Sequence, residues 1–152
     1  MYDFVDRPVT SLDHGGRFLI WSMRSWVEAL NKRQCPPHVL AKVFARYNMI
    51  VALGHFHMVM MLLSRDSLET LSFGPLPCNM VTESEAVLLS LFRAARDEPV
   101  DQLNETLGMV VADDSSSSLF AALTAMSQQL SIANLIPEKP VCRTTTIKVD
   151  EK

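Results

Sequence analysis

The amino-acid sequence predicts an all-α protein, a single-domain bundle of five or six helices around a central apolar helix. Three observations favour this fold class. Apolar residues recur at helical spacing through most of the chain, Pro and Gly separate the periodic segments, and 152 residues is the length of one domain. Hydrophobic residues make up 48% of the chain and charged residues 20%, a composition that excludes a disordered protein.

The first helix is predicted to start near Ser11 or Leu12, because Ser11 or Asp13 can supply the side-chain oxygen that caps a helix. Gly15 and Gly16 have low helix propensity, so we expect an irregular first turn. The predicted buried face consists of residues at helical spacing: Leu19, Met23, Trp26 and Leu30.

Two prolines, Pro36 and Pro37, end this segment, and a short second helix is predicted over residues 38–47. Its inward side chains would be Leu40, Val43 and Phe44. Residues 49–63 follow without any charged side chain, which predicts a central helix that other helices surround or that a second chain covers on one side. At 15 residues it is shorter than the roughly 20 that a membrane span needs.

Residues 68–73 have weak strand character. The sequence from Thr82 to Glu85 is a capping box that opens a helix to about Arg96. Pro99 begins a further helix, whose apolar positions are Val100, Leu103, Leu107 and Val110. Asp113, Asp114 and the following serines are predicted to form a loop before the last helix, marked by Leu119, Leu123, Met126, Leu130 and Ala133.

The predicted domain organisation is a helical domain over residues 1–136 and a C-terminal tail over residues 137–152. Prolines interrupt the start of the tail, whereas residues 145–149 alternate like a strand. The tail is therefore expected to be either mobile or strand-like, and residues 145–149 could form one short strand pair with residues 68–73.

Residues 17–98 resemble a family of small helical bacterial proteins with no assigned activity. The resemblance is carried by Trp26 in an amphipathic helix, Cys35-Pro36, an apolar helix, Cys78 before the capping box, and Leu88-Leu89. It implies a helical cytoplasmic fold in a bacterial protein, and it implies no catalytic residue.

Charge and cysteine content limit the classes of partner. The formal charge is −3, so no large cationic surface is available for nucleic acid or an anionic membrane. Residues 49–63 contain no cation, which excludes them as a DNA-recognition helix. The acidic start does not match a secretory signal, and three cysteines are an odd set for a disulfide framework. We therefore expect a cytoplasmic protein that binds neither nucleic acid nor membranes.

Five residues are candidate thiol or metal ligands: Cys35, His38, His55, His57 and Cys78. His55 and His57 lie about 200° apart on a helix, so the two side chains cannot chelate one metal together. Cys78 precedes a helix start, where a nearby sulfur can become a reactive thiolate. We expect no bound metal and no cofactor, and we keep the five residues as candidates.

Interface residues are the better supported candidates. Met58 and Met61 can be buried together with their apolar neighbours only if other helices surround residues 49–63. Otherwise one side of this helix is covered by a second chain, and Met is common at such binding surfaces. Arg17, Trp21 and Arg24 share one face of the first helix, and Trp and Arg are enriched at interface hot spots. Because charged residues are few, some apolar surface should remain for a symmetric homodimer.

No hydrolase, phosphate-binding or metalloprotease motif is present, which argues against enzymatic activity and leaves an enzyme with an unrecognised site as a third alternative. The sequence favours a non-enzymatic interaction or regulatory protein that self-associates as a homodimer, with a further protein partner left open. The alternative is a small-molecule or metal/redox-linked binding protein that uses Cys78, His55 or His57.

Overall fold

Six α-helices make up most of residues 4–138, the part of the chain that the computed structural model describes. They are α1 (His14–Asn31), α2 (Pro36–Arg46), α3 (Leu53–Asp66), α4 (Glu83–Asp97), α5 (Val100–Gly108) and α6 (Asp113–Ile132). The predicted all-α bundle is confirmed. None of the helices in residues 4–138 is long and apolar enough to cross a membrane.

The helices pack around one core to which all six contribute. Helix α6 contacts α3, α4 and α5, while α1 packs against α2 and α4, and α2 packs against α3. Helix α3 therefore lies between α2 and α6. Residues 49–63 predict a buried helix, and within them Leu53, Phe56 and Val59 are buried, whereas Ile50 in the preceding 3-10 turn is exposed. The opposite side of α3 is left open to solvent by residues 4–138, so the described helices do not surround it on every side.

Two of the predicted helix starts are confirmed at the level of hydrogen bonds. The Asp13 carboxylate accepts a bond of 2.8 Å from the amide of Gly16 and caps α1. At α4, the Thr82 hydroxyl accepts from the Glu85 amide at 3.2 Å, and the Glu85 carboxylate accepts from the Thr82 amide at 2.9 Å. This is the predicted capping box.

Two other helices start earlier than predicted. Helix α2 begins at Pro36 because proline, which needs no amide partner, is tolerated in a first helical turn. Helix α6 begins at Asp113, so the serine run lies inside it rather than in a loop. The Ser115 hydroxyl donates to the carboxylate of Asp66, which joins the first turn of α6 to the end of α3.

Several expectations about exposure and strands are wrong. Leu30 and Val100 were placed on buried faces, but both are exposed because they lie in terminal turns that extend past the core. Residues 68–73 form no strand; the nearest pairing is one isolated bridge between Ser67 and Val111. The predicted strand at residues 145–149, and with it most of the tail, lies outside the described residues.

Gly15 marks a close approach rather than a weak helix start. A β-carbon at Gly15 would lie 2.0 Å from the carbonyl oxygen of Leu135, so no side chain fits there. The chain segment after α6 runs against the start of α1 at this point. It is held further along by a 3.0 Å bond from the Glu138 amide to Asp13 and a 2.9 Å bond from Arg93 to the Pro137 carbonyl. The irregular first turn that we expected is therefore not observed, and α1 is regular from His14.

Candidate functional site

Arg24 is not an interface residue, although the sequence placed it on an exposed face with Arg17 and Trp21. Only 3% of the residue is accessible to solvent. Its guanidinium donates to the Glu85 carboxylate at 2.8 and 2.9 Å. The remaining donors bind backbone carbonyls, those of Pro75, Cys78 and Met80. The loop before α4 therefore covers this part of α1.

Glu85 is the structural partner of Arg24. Beyond its two bonds from Arg24, its carboxylate accepts from the amides of Gly74 and Thr82, each at 2.9 Å. Burial alone would raise the pKa of Glu85, but the bonds from Arg24, Thr82 and Gly74 outweigh it and hold the pKa below its usual value. Arg24 and Glu85 are the two buried charged residues among residues 4–138, and both hold the loop against α1 and α4.

Arg17 and Trp21 do lie at the surface of α1, as predicted. Arg17 is exposed and Trp21 is half-buried. Together with side chains of α2 they line a shallow cleft of about 430 Å³, which we call the α1–α2 cleft; its lining residues are His14, Arg17, Phe18, Trp21, Val43 and Tyr47. Sequence reasoning missed His14 and Tyr47. The spacing of His14, Arg17 and Trp21 places them on one helix face, so the α1 side of the cleft could have been predicted. The position of Tyr47 could not, because it depends on the tertiary packing of α2 against α1.

Met58 and Met61 lie on the open side of α3, with exposed fractions of 48% and 39%. Two neighbours extend this surface. Val51 in the 3-10 turn is 68% exposed, and Gly54 lies one turn before Met58 with no atom within 4 Å of where its β-carbon would be. We call these four residues the apolar α3 face. None of the four is charged.

The candidate thiol and metal ligands are scattered. Cys35 precedes α2 and His38 lies on it, both exposed, while Cys78 lies in the loop that Arg24 holds. The Cys78 thiol donates weakly to the Met80 carbonyl, with a sulfur–oxygen distance of 3.7 Å. Among residues 4–138 no three His, Cys, Asp or Glu side chains are grouped so that they could hold a metal ion.

His55 and His57 face different surroundings on α3. His57 accepts a hydrogen bond of 3.0 Å on its Nδ1 from the indole nitrogen of Trp26. An indole can only donate, so this bond requires an unprotonated Nδ1. Burial lowers the pKa of His57, which favours the same neutral form. His57 is therefore a hydrogen-bond acceptor for the buried Trp26, and no such bond is formed by His55 within the described chain.

A second groove, of about 460 Å³, runs between α1, α3 and the extended residues 67–73. Its apolar lining includes Trp26, Leu30, Met60, Leu71 and Phe73. Neither this groove nor the α1–α2 cleft is lined by His55, His57 or Cys78, the residues of the alternative binding hypothesis.

The chain matches no protein-family model, and neither the curated protein sequences nor the solved structures contain one significantly similar to it. The resemblance of residues 17–98 to small helical bacterial proteins therefore stays a prediction.

Proposed function

We propose that this protein is a non-enzymatic, cytoplasmic interaction protein of bacterial type that self-associates as a homodimer through the apolar α3 face. The observation that carries the proposal is the exposure of Val51, Met58 and Met61 on the side of α3 and its preceding turn that faces away from the core. Contiguous apolar surface of this kind on a small protein usually marks an interface. Met is also among the residues that interfaces enrich.

A second copy of the chain is the occupant that this surface fits best. In a two-fold dimer the same surface patch of each chain faces its copy, so a patch with a net charge of either sign would repel that copy. The apolar α3 face carries no charge. Arg65, which continues the same helix side one turn after Met61, is neutralised by Asp66, with its guanidinium 2.9 Å from the carboxylate.

Gly54 adds a reason for helix-to-helix contact. It leaves a notch in the α3 surface between Val51 and Met58, because it has no side chain and no neighbouring atom of residues 4–138 lies within 4 Å of where its β-carbon would be. A methionine from a partner helix can enter such a notch, and Met adapts its shape to irregular gaps. The proposed dimer therefore pairs α3 with α3.

The buried charges support a non-enzymatic role. Arg24 and Glu85 are the ionisable side chains of the core, and their hydrogen bonds go to each other and to backbone groups. They are therefore held in place rather than directed at a substrate.

Light scattering coupled to size exclusion at micromolar concentration tests the dimer. The expected mass is twice the 17.0 kDa of one chain. The double variant Met58→Glu/Met61→Glu should be monomeric, because like charges would then face each other across the two-fold axis. Gly54→Leu should also weaken the dimer by filling the notch.

A matched control is offered by two exposed apolar residues that are not part of the apolar α3 face. They are Met109 and Ile132, at the ends of α5 and α6. The variant Met109→Glu/Ile132→Glu adds the same charge and should remain dimeric. A wild-type protein that stays at 17.0 kDa, or a control variant that dissociates as readily as the α3 variant, would contradict the proposal.

A further inference from the structure

The α1–α2 cleft has aromatic walls that are held in place before any ligand arrives. The rings of Phe18 and Tyr47 meet edge to face with centroids 5.1 Å apart. The Tyr47 hydroxyl is hydrogen-bonded to the Nε2 of His14 at 3.1 Å, which fixes the ring from its other end. Trp21 contributes a third ring, which like that of Tyr47 is half-buried. A planar aromatic group can stack or pack edge-on in such surroundings.

The charge at the cleft is positive and unneutralised. Arg17 lines the cleft, and its side chain forms no ion pair or hydrogen bond with any residue among 4–138. No carboxylate is among the lining residues. Asp13, the acid next to His14, is already bonded to the amides of Gly16 and Glu138. On α2, Lys42 and Arg46 flank Val43 and add positive charge nearby.

We infer that the α1–α2 cleft binds a small aromatic carboxylate, with the ring between Trp21 and Tyr47 and the carboxylate on Arg17. A volume of about 430 Å³ lies within the usual range for small-molecule sites. Apolar lining with a few polar groups at one side is also typical of such sites. An Arg guanidinium matches a carboxylate in a planar, two-pronged hydrogen bond. This site is separate from the apolar α3 face and does not depend on dimerisation.

The class of ligand follows from the two parts of the cleft, its aromatic rings and the Arg17 guanidinium, and from the groups that each of them binds best. The three rings favour an aromatic over a saturated ring in the ligand, because aromatic pairs are stabilised beyond the burial of their apolar surface. The unpaired guanidinium favours an anion over a neutral amide of the same shape. Two fused rings use more of the available volume than one.

NMR titration of the full chain with indole-3-carboxylate tests the inference. Saturable shifts are expected for the backbone amides of Arg17, Trp21 and Tyr47. The matched neutral probe, indole-3-carboxamide, should bind about tenfold more weakly, since it loses a charge-assisted bond. Cyclohexanecarboxylate, which keeps the charge and loses the aromatic ring, should also bind more weakly.

Arg17→Gln should weaken binding of the carboxylate about tenfold and remove the preference over the amide. Arg17 is exposed, so this variant should fold normally. The control is Arg33→Asn, which removes an equal charge at the far end of α1 and suits the positive φ of 58° there. Any of three results would overturn the inference. The chemical shift changes would fall outside the cleft, the acid and the amide would bind with equal affinity, or the Arg17→Gln variant would bind the acid like wild type.

Discussion

Arg24 and Glu85 form a buried bidentate ion pair in which neither side chain has a hydrogen-bonding position left over. The five N–H donors of Arg24 make two bonds to Glu85 and three to the carbonyls of Pro75, Cys78 and Met80. Glu85 accepts four bonds, two from Arg24 and two from backbone amides. Three separate parts of the chain, namely α1, the loop of residues 74–80 and the start of α4, thus depend on one pair.

Removal of either partner should be strongly destabilising. Arg24→Met would leave the Glu85 carboxylate buried without its cation, and Glu85→Leu would leave the guanidinium unpaired. We expect each single substitution to lower the free energy of unfolding by about 3–5 kcal/mol, measured by urea denaturation. The double variant Arg24→Met/Glu85→Leu should lose less than the sum of the two, because it leaves no uncompensated charge. Strict additivity would show that the pair is not coupled.

The helical pattern and the capping box could be predicted from the sequence because both are local. Apolar spacing located α1, and the Thr82-x-x-Glu85 signature gave the start of α4 within one residue. The burial of Arg24 could not be predicted in this way. It shares a helix face with Arg17 and Trp21, and what covers it is a set of backbone carbonyls from a loop some 50 residues later. Every residue has a backbone carbonyl group, so no pattern of side chains in the sequence predicts which carbonyls will surround Arg24.

The same limit applies to the candidate site. Arg17, Trp21, Met58 and Met61 could be selected from composition and spacing, and all four are partly or fully exposed. The cleft also needs Tyr47, whose position depends on how α2 packs against α1. Helical periodicity states which side of a helix is apolar, but it does not state which helix covers that side.

Two glycines in helices should respond in opposite directions to the same substitution. Gly54→Ala should raise the free energy of unfolding of the monomer by up to about 1 kcal/mol, since alanine favours helix and nothing lies within 4 Å of the new methyl group. Gly15→Ala should lower it, because the methyl group would lie 2.0 Å from the Leu135 carbonyl oxygen. Thermal or urea denaturation of both variants, at a protein concentration at which light scattering shows a monomer, provides the measurement. A stabilising Gly15→Ala would mean that the segment after α6 does not pack against α1.

His57 should make stability depend on pH. Its pKa in the folded protein lies below the ordinary value of about 6.5, because burial disfavours the charged ring. Well above about pH 6.5 the ring is neutral in both the folded and the unfolded state, and the stability of the folded state does not depend on its titration. As the pH falls, the unfolded chain takes up the proton first, so the free energy of unfolding decreases and continues to do so until the folded pKa is passed.

The matched variant is His57→Asn, whose side-chain oxygen can replace Nδ1 as acceptor for Trp26 but does not titrate. Urea denaturation between about pH 5 and 7 should show a smaller loss of stability on acidification than in wild type. NMR titration of the His57 ring gives its pKa directly. A folded pKa above that of a histidine in the denatured chain would contradict this expectation.

The two sides of α3 should differ in how substitutions act. Leu53→Ala removes a buried side chain between α2 and α6 and should cost about 2–5 kcal/mol at any protein concentration. Met61→Ala changes an exposed residue and should alter the stability of the monomer by no more than about 0.5 kcal/mol.

If α3 pairs with α3 in a homodimer, binding of a second chain stabilises the folded state, and the free energy of unfolding rises with protein concentration. Met61→Ala should then become more destabilising as the concentration increases, whereas the effect of Leu53→Ala should stay constant. Urea denaturation at two widely separated protein concentrations shows whether Met61 lies in a dimer interface. If Met61→Ala changes the free energy of unfolding equally at both concentrations, Met61 is not in the interface.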